Sequence, residues 1–165
     1  MIDSHAAAWS AGIIDGEGTI TIVPRYRSDG KCKHHGFQLR VSVANTDEKM
    51  INRLKELWGG SIHLLKSNRD NRRDIWSWVL AANNAMTFLS QISKYLVTKS
   101  EICNICMEFQ SRIESNKSKG RAGLSDEEIS ARSEYFWKVK ELNHKGPWLY
   151  GRKGRMVFNP ENKNA

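Results

Sequence analysis

Two acids in an unusual setting hold the first chemistry in this chain. Residues 9–20 read WSAGIIDGEGTI. Within them, Ala11-Gly12-Ile13-Ile14-Asp15-Gly16-Glu17-Gly18 sets two small residues and two β-branched apolar residues ahead of two carboxylates. Ala and Gly side by side suit a helix that approaches another backbone closely. Asp15 and Glu17 would be costly inside that contact, so they belong at its end, and the glycines around Glu17 permit a sharp exit. The stretch predicts a tightly packed helix that delivers carboxylates at its C-terminal tip. The helix dipole disfavours negative charge there. A cation would relieve the strain, and nothing else in the stretch would.

Other reactive side chains carry less. Cys103 and Cys106 form a CxxC, but inside an apolar helical pattern, and no second pair exists to complete a zinc site. They read as core cysteines one helical turn apart. With Cys32 they make three, an odd number with no secretory signal ahead of them, which points to reduced thiols in an intracellular protein. His34 and His35 are adjacent and would point apart in a strand. Trp76 and Trp78 share a strand face and read as core packing rather than a ligand platform.

The elements that must position the two acids follow from periodicity. Residues 4–15 read as a first helix, with Asp3 or Ser4 as N-cap. Residues 18–27 alternate, with Thr19, Thr21, Val23, Arg25 and Arg27 on one face and Ile20, Ile22 and Tyr26 on the other. Pro24 argues for an edge position or a bulge. A turn signal, Asp29-Gly30, leads to residues 37–44, where Gln38, Arg40, Ser42 and Ala44 oppose Phe37, Leu39, Val41 and Val43. Asn45-Thr46-Asp47 caps a helix over 47–58, which Gly59-Gly60 stops. A second hairpin pairs 61–67 with 74–81 across the loop 68–73. Helices are expected over 83–95 and 98–115. A polar loop follows at 116–124, and the capping box Ser125-Asp126-Glu127-Glu128 opens a last helix to about 143. Residues 1–145 form one domain, and the basic, Gly-rich tail over 146–165 reads as irregular. Four strands with one apolar face need helices stacked on it. The other face stays open.

That open face is basic. The chain carries 26 Lys plus Arg against 18 Asp plus Glu, a formal charge of +8. Residues 24–73 alone hold 12 basic and 5 acidic side chains. This suits a polyanionic partner. No stretch reaches the ~18 apolar residues that a membrane span needs, so a membrane partner is not expected. A two-stranded ribbon fits the DNA major groove. A strand of nine residues, at ~3.3 Å each, would follow roughly nine base pairs at ~3.4 Å per step. Arg25, Arg27, Gln38 and Arg40 are the side chains able to read base edges. Lys31, Lys33, Arg69, Arg72 and Arg73, at the hairpin tips, suit phosphates. Thr19, Thr21, Ser42, His63 and Lys66 complete the candidate DNA contacts.

The opening stretch then gains a meaning. SAGIIDGEG (10–18) resembles the motif that names the LAGLIDADG homing endonucleases, with Ala11, Gly12, Ile14, Asp15 and Gly18 in register and Glu17 replacing the second acid conservatively. The αββαββα order, the basic hairpins, Tyr95-Leu96-Val97-Thr98-Lys99 and Glu141-Leu142-Asn143 are also similar to the family's pattern, over about residues 6–145. The resemblance implies an α+β fold, a four-stranded antiparallel saddle sheet with helices on one face and further C-terminal helices. One motif copy is present, and single-motif members act as homodimers. The resemblance therefore implies a second copy of the chain packed across a two-fold axis through Ala11, Gly12 and Asp15.

The rest of the implied machinery is metal-dependent. Glu17, with Asp15 in support, would hold a divalent ion, Mg²⁺, with Mn²⁺ able to substitute and Ca²⁺ supporting binding without cleavage. Lys99 matches the family's basic residue near the scissile phosphate. A Gln common near the metal-bound water falls here on Ala44, beside Asn45. Asn45 either takes that role or caps the following helix. The expected function is a homing endonuclease that makes a double-strand break in a long, near-palindromic duplex. The competing readings are an intron maturase of the same fold, with intron RNA as partner, and a DNA-binding regulator without cleavage. Asp15, Glu17 and Lys99 together argue against the last.

Overall fold

The structure, a computed structural model, describes residues 2–25, 36–67, 73–116 and 124–144. In chain order it comprises α1 (Ser4–Glu17), β1 (Gly18–Arg25), β2 (Gly36–Asn45), α2 (Glu48–Trp58), β3 (Ser61–Leu65), β4 (Ile75–Ala81) and α3 (Ala82–Ile92). A 3-10 turn (Ser93–Tyr95), α4 (Ser100–Ser115) and α5 (Asp126–Asn143) complete it. This is the expected α+β order. Of the expected elements, the 26–27 end of β1, the Asp29-Gly30 turn, most of the loop 68–73 and of the loop 116–124, and the tail over 146–165 lie outside the described residues.

The four strands form one antiparallel sheet in the order β1-β2-β4-β3. Pro24, which removes a ladder donor, therefore sits in an edge strand, as its chemistry requires. Alternation decides the faces. Ile20, Ile22, Leu39, Val41, Val43, Trp78 and Leu80 are buried under the helices together with Ile51, Phe88, Leu89 and Phe109. Trp78 is fully buried and its Nε1 donates to the Gly59 carbonyl at 2.7 Å, so it packs in the core as expected. Cys103 and Cys106 are buried too. Burial pushes their thiols up, to about 11 and about 12, with the neighbouring Cys103 adding to the rise at Cys106.

Two local features shape the connections. Gly60 has φ +86, and a Cβ there would lie 2.6 Å from the Val79 carbonyl oxygen, so the α2–β3 turn admits only glycine. The helix expected over 83–95 is α only to Ile92 and then tightens to 3-10. That turn swings the chain back toward the end of α1.

Among the described residues no helix is long and apolar enough to cross a membrane. The last helix covers an exposed strand. Asn143 Nδ2 donates to the Ile20 carbonyl of edge strand β1 at 2.9 Å, which protects an otherwise unpaired edge. Ser125 caps α5 as expected, accepting from Glu128 N at 3.3 Å. The Glu128 carboxylate turns to other partners. Arg112 of α4 and Arg132 one turn along α5 both donate to it at 2.8 Å.

Candidate active site and nucleic-acid interface

The tip of α1 carries the two acids to different places. Asp15 is half-buried and faces the segment between the 3-10 turn and α4. Its Oδ2 accepts from Val97 N at 2.7 Å, and its Oδ1 accepts from the Thr98 hydroxyl at 2.9 Å and from Lys99 N at 3.0 Å. Burial alone would raise this carboxyl. The donors from Val97, Thr98 and Lys99 outweigh it and hold the group below its ordinary value. Asp15 is thus a brace between two helices. Three donors engage its oxygens, so the more open carboxylate for the metal role that the resemblance gave to both acids is Glu17.

Lys99 supplies the cation that the sequence demanded. Its Nζ donates to the Ile14 carbonyl at 2.8 Å and the Asp15 carbonyl at 2.6 Å. Those are last-turn carbonyls of α1, where the helix dipole is negative. The ammonium neutralises that end two residues before Glu17. Glu17 itself is exposed, and among the described residues no hydrogen bond or ion pair engages its carboxylate. Gly18 then lets α1 turn directly into β1. A Cβ at this position would meet Ile14 Cα at 2.7 Å.

Asn45 is not itself the cap of α2; it holds the turn just before that helix. Its Oδ1 accepts from Asp47 N at 2.9 Å. Asp47 in turn caps α2, accepting from Lys49 N and Met50 N. Asn45 closes the turn that starts α2.

The exposed side of α1 differs from the expected contact. Ala11 is fully buried in the core of its own chain, because it shares a helix face with Ala7 and Ile14. It cannot line an outer surface. The open stripe is instead Ala8, Gly12 and Gly16, at four-residue spacing, flanked by Trp9 at 38% exposure. A Cβ at Gly12 or Gly16 would meet nothing within 4 Å. This stripe was readable in the sequence as a small residue every fourth position.

The uncovered sheet face is as expected on its β1–β2 half. Register sets Thr19 beside Ser42, Thr21 beside Arg40 and Val23 beside Gln38, with Arg25 at the end opposite Gly36. Thr19, Arg25 and Arg40 are exposed, and Thr21, Gln38 and Ser42 are partly so. On the other half, His63 pairs with Ser77 and is exposed, as are Lys66 and Arg73. Arg27, Lys31, Lys33, Arg69 and Arg72 lie outside the described residues. The site therefore joins an open carboxylate, a neutralised helix end and a sheet face lined by polar and basic side chains.

That combination of a motif helix and an open antiparallel sheet defines a nuclease-type scaffold, and comparison identifies it. Residues 10–107 match the LAGLIDADG endonuclease family, and the chain belongs to that family. No curated protein sequence matches it. Among solved structures it resembles the homing endonuclease I-CvuI in complex with its target in the presence of calcium, with TM-score 0.70 and 17% identity, over 97% of this chain and 90% of that one. It also resembles the archaeal intron-encoded homing endonuclease I-Vdi141I complexed with DNA, with TM-score 0.68 and 14% identity, over 87% of each chain. The I-LtrWI LAGLIDADG homing endonuclease bound to target DNA gives TM-score 0.60 and 18% identity, over 79% of this chain and 42% of that one.

Proposed function

We propose that this chain is a site-specific homing endonuclease that acts as a homodimer and breaks both strands of a long, near-palindromic duplex. The observation that carries the reading is Glu17, an exposed carboxylate without a partner among the described residues, at the tip of a helix whose outer stripe is small. Two such helices in contact through Ala8, Gly12 and Gly16 would bring two Glu17 carboxylates together. The sheet faces would extend on either side as DNA-reading surfaces. Arg25, Gln38 and Arg40 would contact base edges and Lys66 and Arg73 phosphates.

A divalent ion fits the residues present. No group of three His, Cys, Asp or Glu side chains gathers among the described residues, so no protein cage exists there. One open carboxylate per protomer suits Mg²⁺, which takes one or two carboxylates and completes its shell with water and phosphate oxygens. Glu17 would hold it. Bound there, such an ion stabilises the attacking and leaving oxygens of phosphodiester hydrolysis. Lys99 keeps the tip of α1 rigid and lowers the negative potential that Glu17 and an incoming phosphate create together. Asp15 fixes Lys99 in place.

The test is a gel-shift and a nicking assay run in parallel on duplexes selected by binding. Glu17→Gln keeps the side-chain shape and removes one negative charge from a site that must accept phosphate. It should bind selected DNA as tightly as wild type, or more tightly without Mg²⁺, and should not cut. Cleavage by Glu17→Gln at near the wild-type rate would overturn the assignment. Binding of intron RNA, with no duplex cut by the wild type, would move the reading to a splicing factor.

A further inference from the structure

The open face of the sheet is not uniform, and its second half carries a feature that the charge argument does not explain. Leu65 of β3 and Ile75 of β4 are directly paired across the strands and are 57% and 40% exposed. By strand alternation both stand on the same side as Arg40 and Gln38, away from the helices. Val79, four residues further along β4, lies on that side as well. The β1–β2 end of the face thus offers guanidinium and amide groups, and the β3–β4 end adds an apolar Leu65–Ile75 pair beside the polar His63–Ser77 pair. Lys66 follows Leu65, and Arg73 precedes Ile75 by two residues. Both are exposed. The hairpin base is closed by Ser67 N donating to Asp74 Oδ1 at 2.9 Å, so the Leu65–Ile75 pair is held on a defined ribbon rather than on a loose loop.

We infer that Leu65 and Ile75 are specificity-determining residues that contact the 5-methyl groups of thymine in the major groove, so that the half-site positions under this hairpin are selected for T·A pairs. The inference rests on the DNA-reading function proposed above. The thymine methyl is the one apolar group that base pairs present in the major groove, and apolar side chains are what read it. Flanking cations suit a ribbon lying between two phosphate rows, and they disfavour burial of the same pair against another basic chain. A cross-strand apolar pair can also form simply to stabilise a hairpin, but that role makes no demand on DNA sequence. Because strand residues on one face repeat at ~6.6 Å, Ile75 and Val79 are separated by about four base-pair steps of ~3.4 Å. A second, weaker thymine preference is expected at that distance.

The experiment is binding-site selection with the full-length chain from a randomised duplex library, run in two forms, one with thymine and one with deoxyuridine in its place. Wild type should enrich T·A pairs at the positions under this hairpin from the thymine library. Deoxyuridine at those positions should weaken binding about fourfold per lost methyl. The double variant Leu65→Ser, Ile75→Thr keeps the β-tolerant shape and should remain folded, checked by thermal melting. It should lose that T·A enrichment and the deoxyuridine effect while keeping base preferences that disappear in Arg40→Ala. A wild-type profile indifferent to deoxyuridine, or a T·A preference unchanged in the double variant, would overturn this inference and leave the DNA-reading function intact. A double variant that loses self-association in sedimentation, with its base profile unchanged, would assign the pair to protein contact instead. If no duplex were enriched by the wild type, the proposed function itself would fall, and this inference with it.

Discussion

Asp15 receives three hydrogen bonds from residues more than eighty positions away in the chain. That fact separates the two acids of the motif by role. Acids at a helix C-terminus were visibly strained in the sequence, and the need for a cation was legible from Asp15 and Glu17 alone. That Lys99 would supply it was not readable from local chemistry, because the contact closes a loop across the whole sheet. The brace also has a pH signature. Asp15 has a lowered pKa in the fold, so the unfolded chain binds more protons and stability rises with pH through the window. Its contribution is complete above the ordinary aspartate value of 3.8 and is lost as pH falls through the lower folded value. Asp15→Asn cannot accept from all three donors and should cost about 2 kcal/mol at neutral pH. Its thermal melts should show a shallower loss of stability below pH ~4 than wild type. A variant with the wild-type slope and midpoint would remove Asp15 from the brace.

At the scale of elements, periodicity located the helices and strands of the described residues to within a few positions, since each buries one regular face. The capping box illustrates where that legibility stopped. Ser125 caps α5 as its position predicts, but Glu128 is committed to Arg112 and Arg132 instead of to the cap alone. A partner on another helix leaves no local trace. Burial works to raise the Glu128 carboxyl, and the hydrogen bonds and charges of Arg132 and Arg112 overcome it and lower the value. Arg132 is 9% exposed at its side chain, whereas Arg112 is 40% exposed. Glu128→Gln would therefore leave a buried guanidinium without its counter-charge, and the loss should be about 3 kcal/mol. Arg112→Met removes the solvent-screened partner and should cost much less. Chemical denaturation of the two variants side by side tests that order. Equal losses would mean that α5 is held to α4 by packing alone.

For the whole molecule, the sequence correctly separated a covered apolar face from an open one, and Gly12, expected at a contact between two chains, lies on the exposed side of α1. Ala11 was expected at that contact too, which its full burial excludes. A residue beside a glycine looks like part of the same small patch until the helix phase is fixed by Ala7 and Ile14. The corrected stripe, Ala8-Gly12-Gly16, gives a clean separation between folding and assembly. Gly12 is mid-helix, so leucine there should raise helix propensity by roughly 0.8–1 kcal/mol. A Cβ at this position meets nothing in the protomer, so no internal clash opposes that gain. If α1 is the dimer contact, the same leucine keeps two backbones apart. Gly12→Leu should then melt, as a dilute protomer, at or above the wild-type temperature while failing to self-associate and failing to cut duplex DNA. Sedimentation equilibrium with thermal melting and a nicking assay reads all three properties. A stable Gly12→Leu protein that still dimerises and still cuts would show that the chains meet through another surface, and that two Glu17 carboxylates are not brought together by α1.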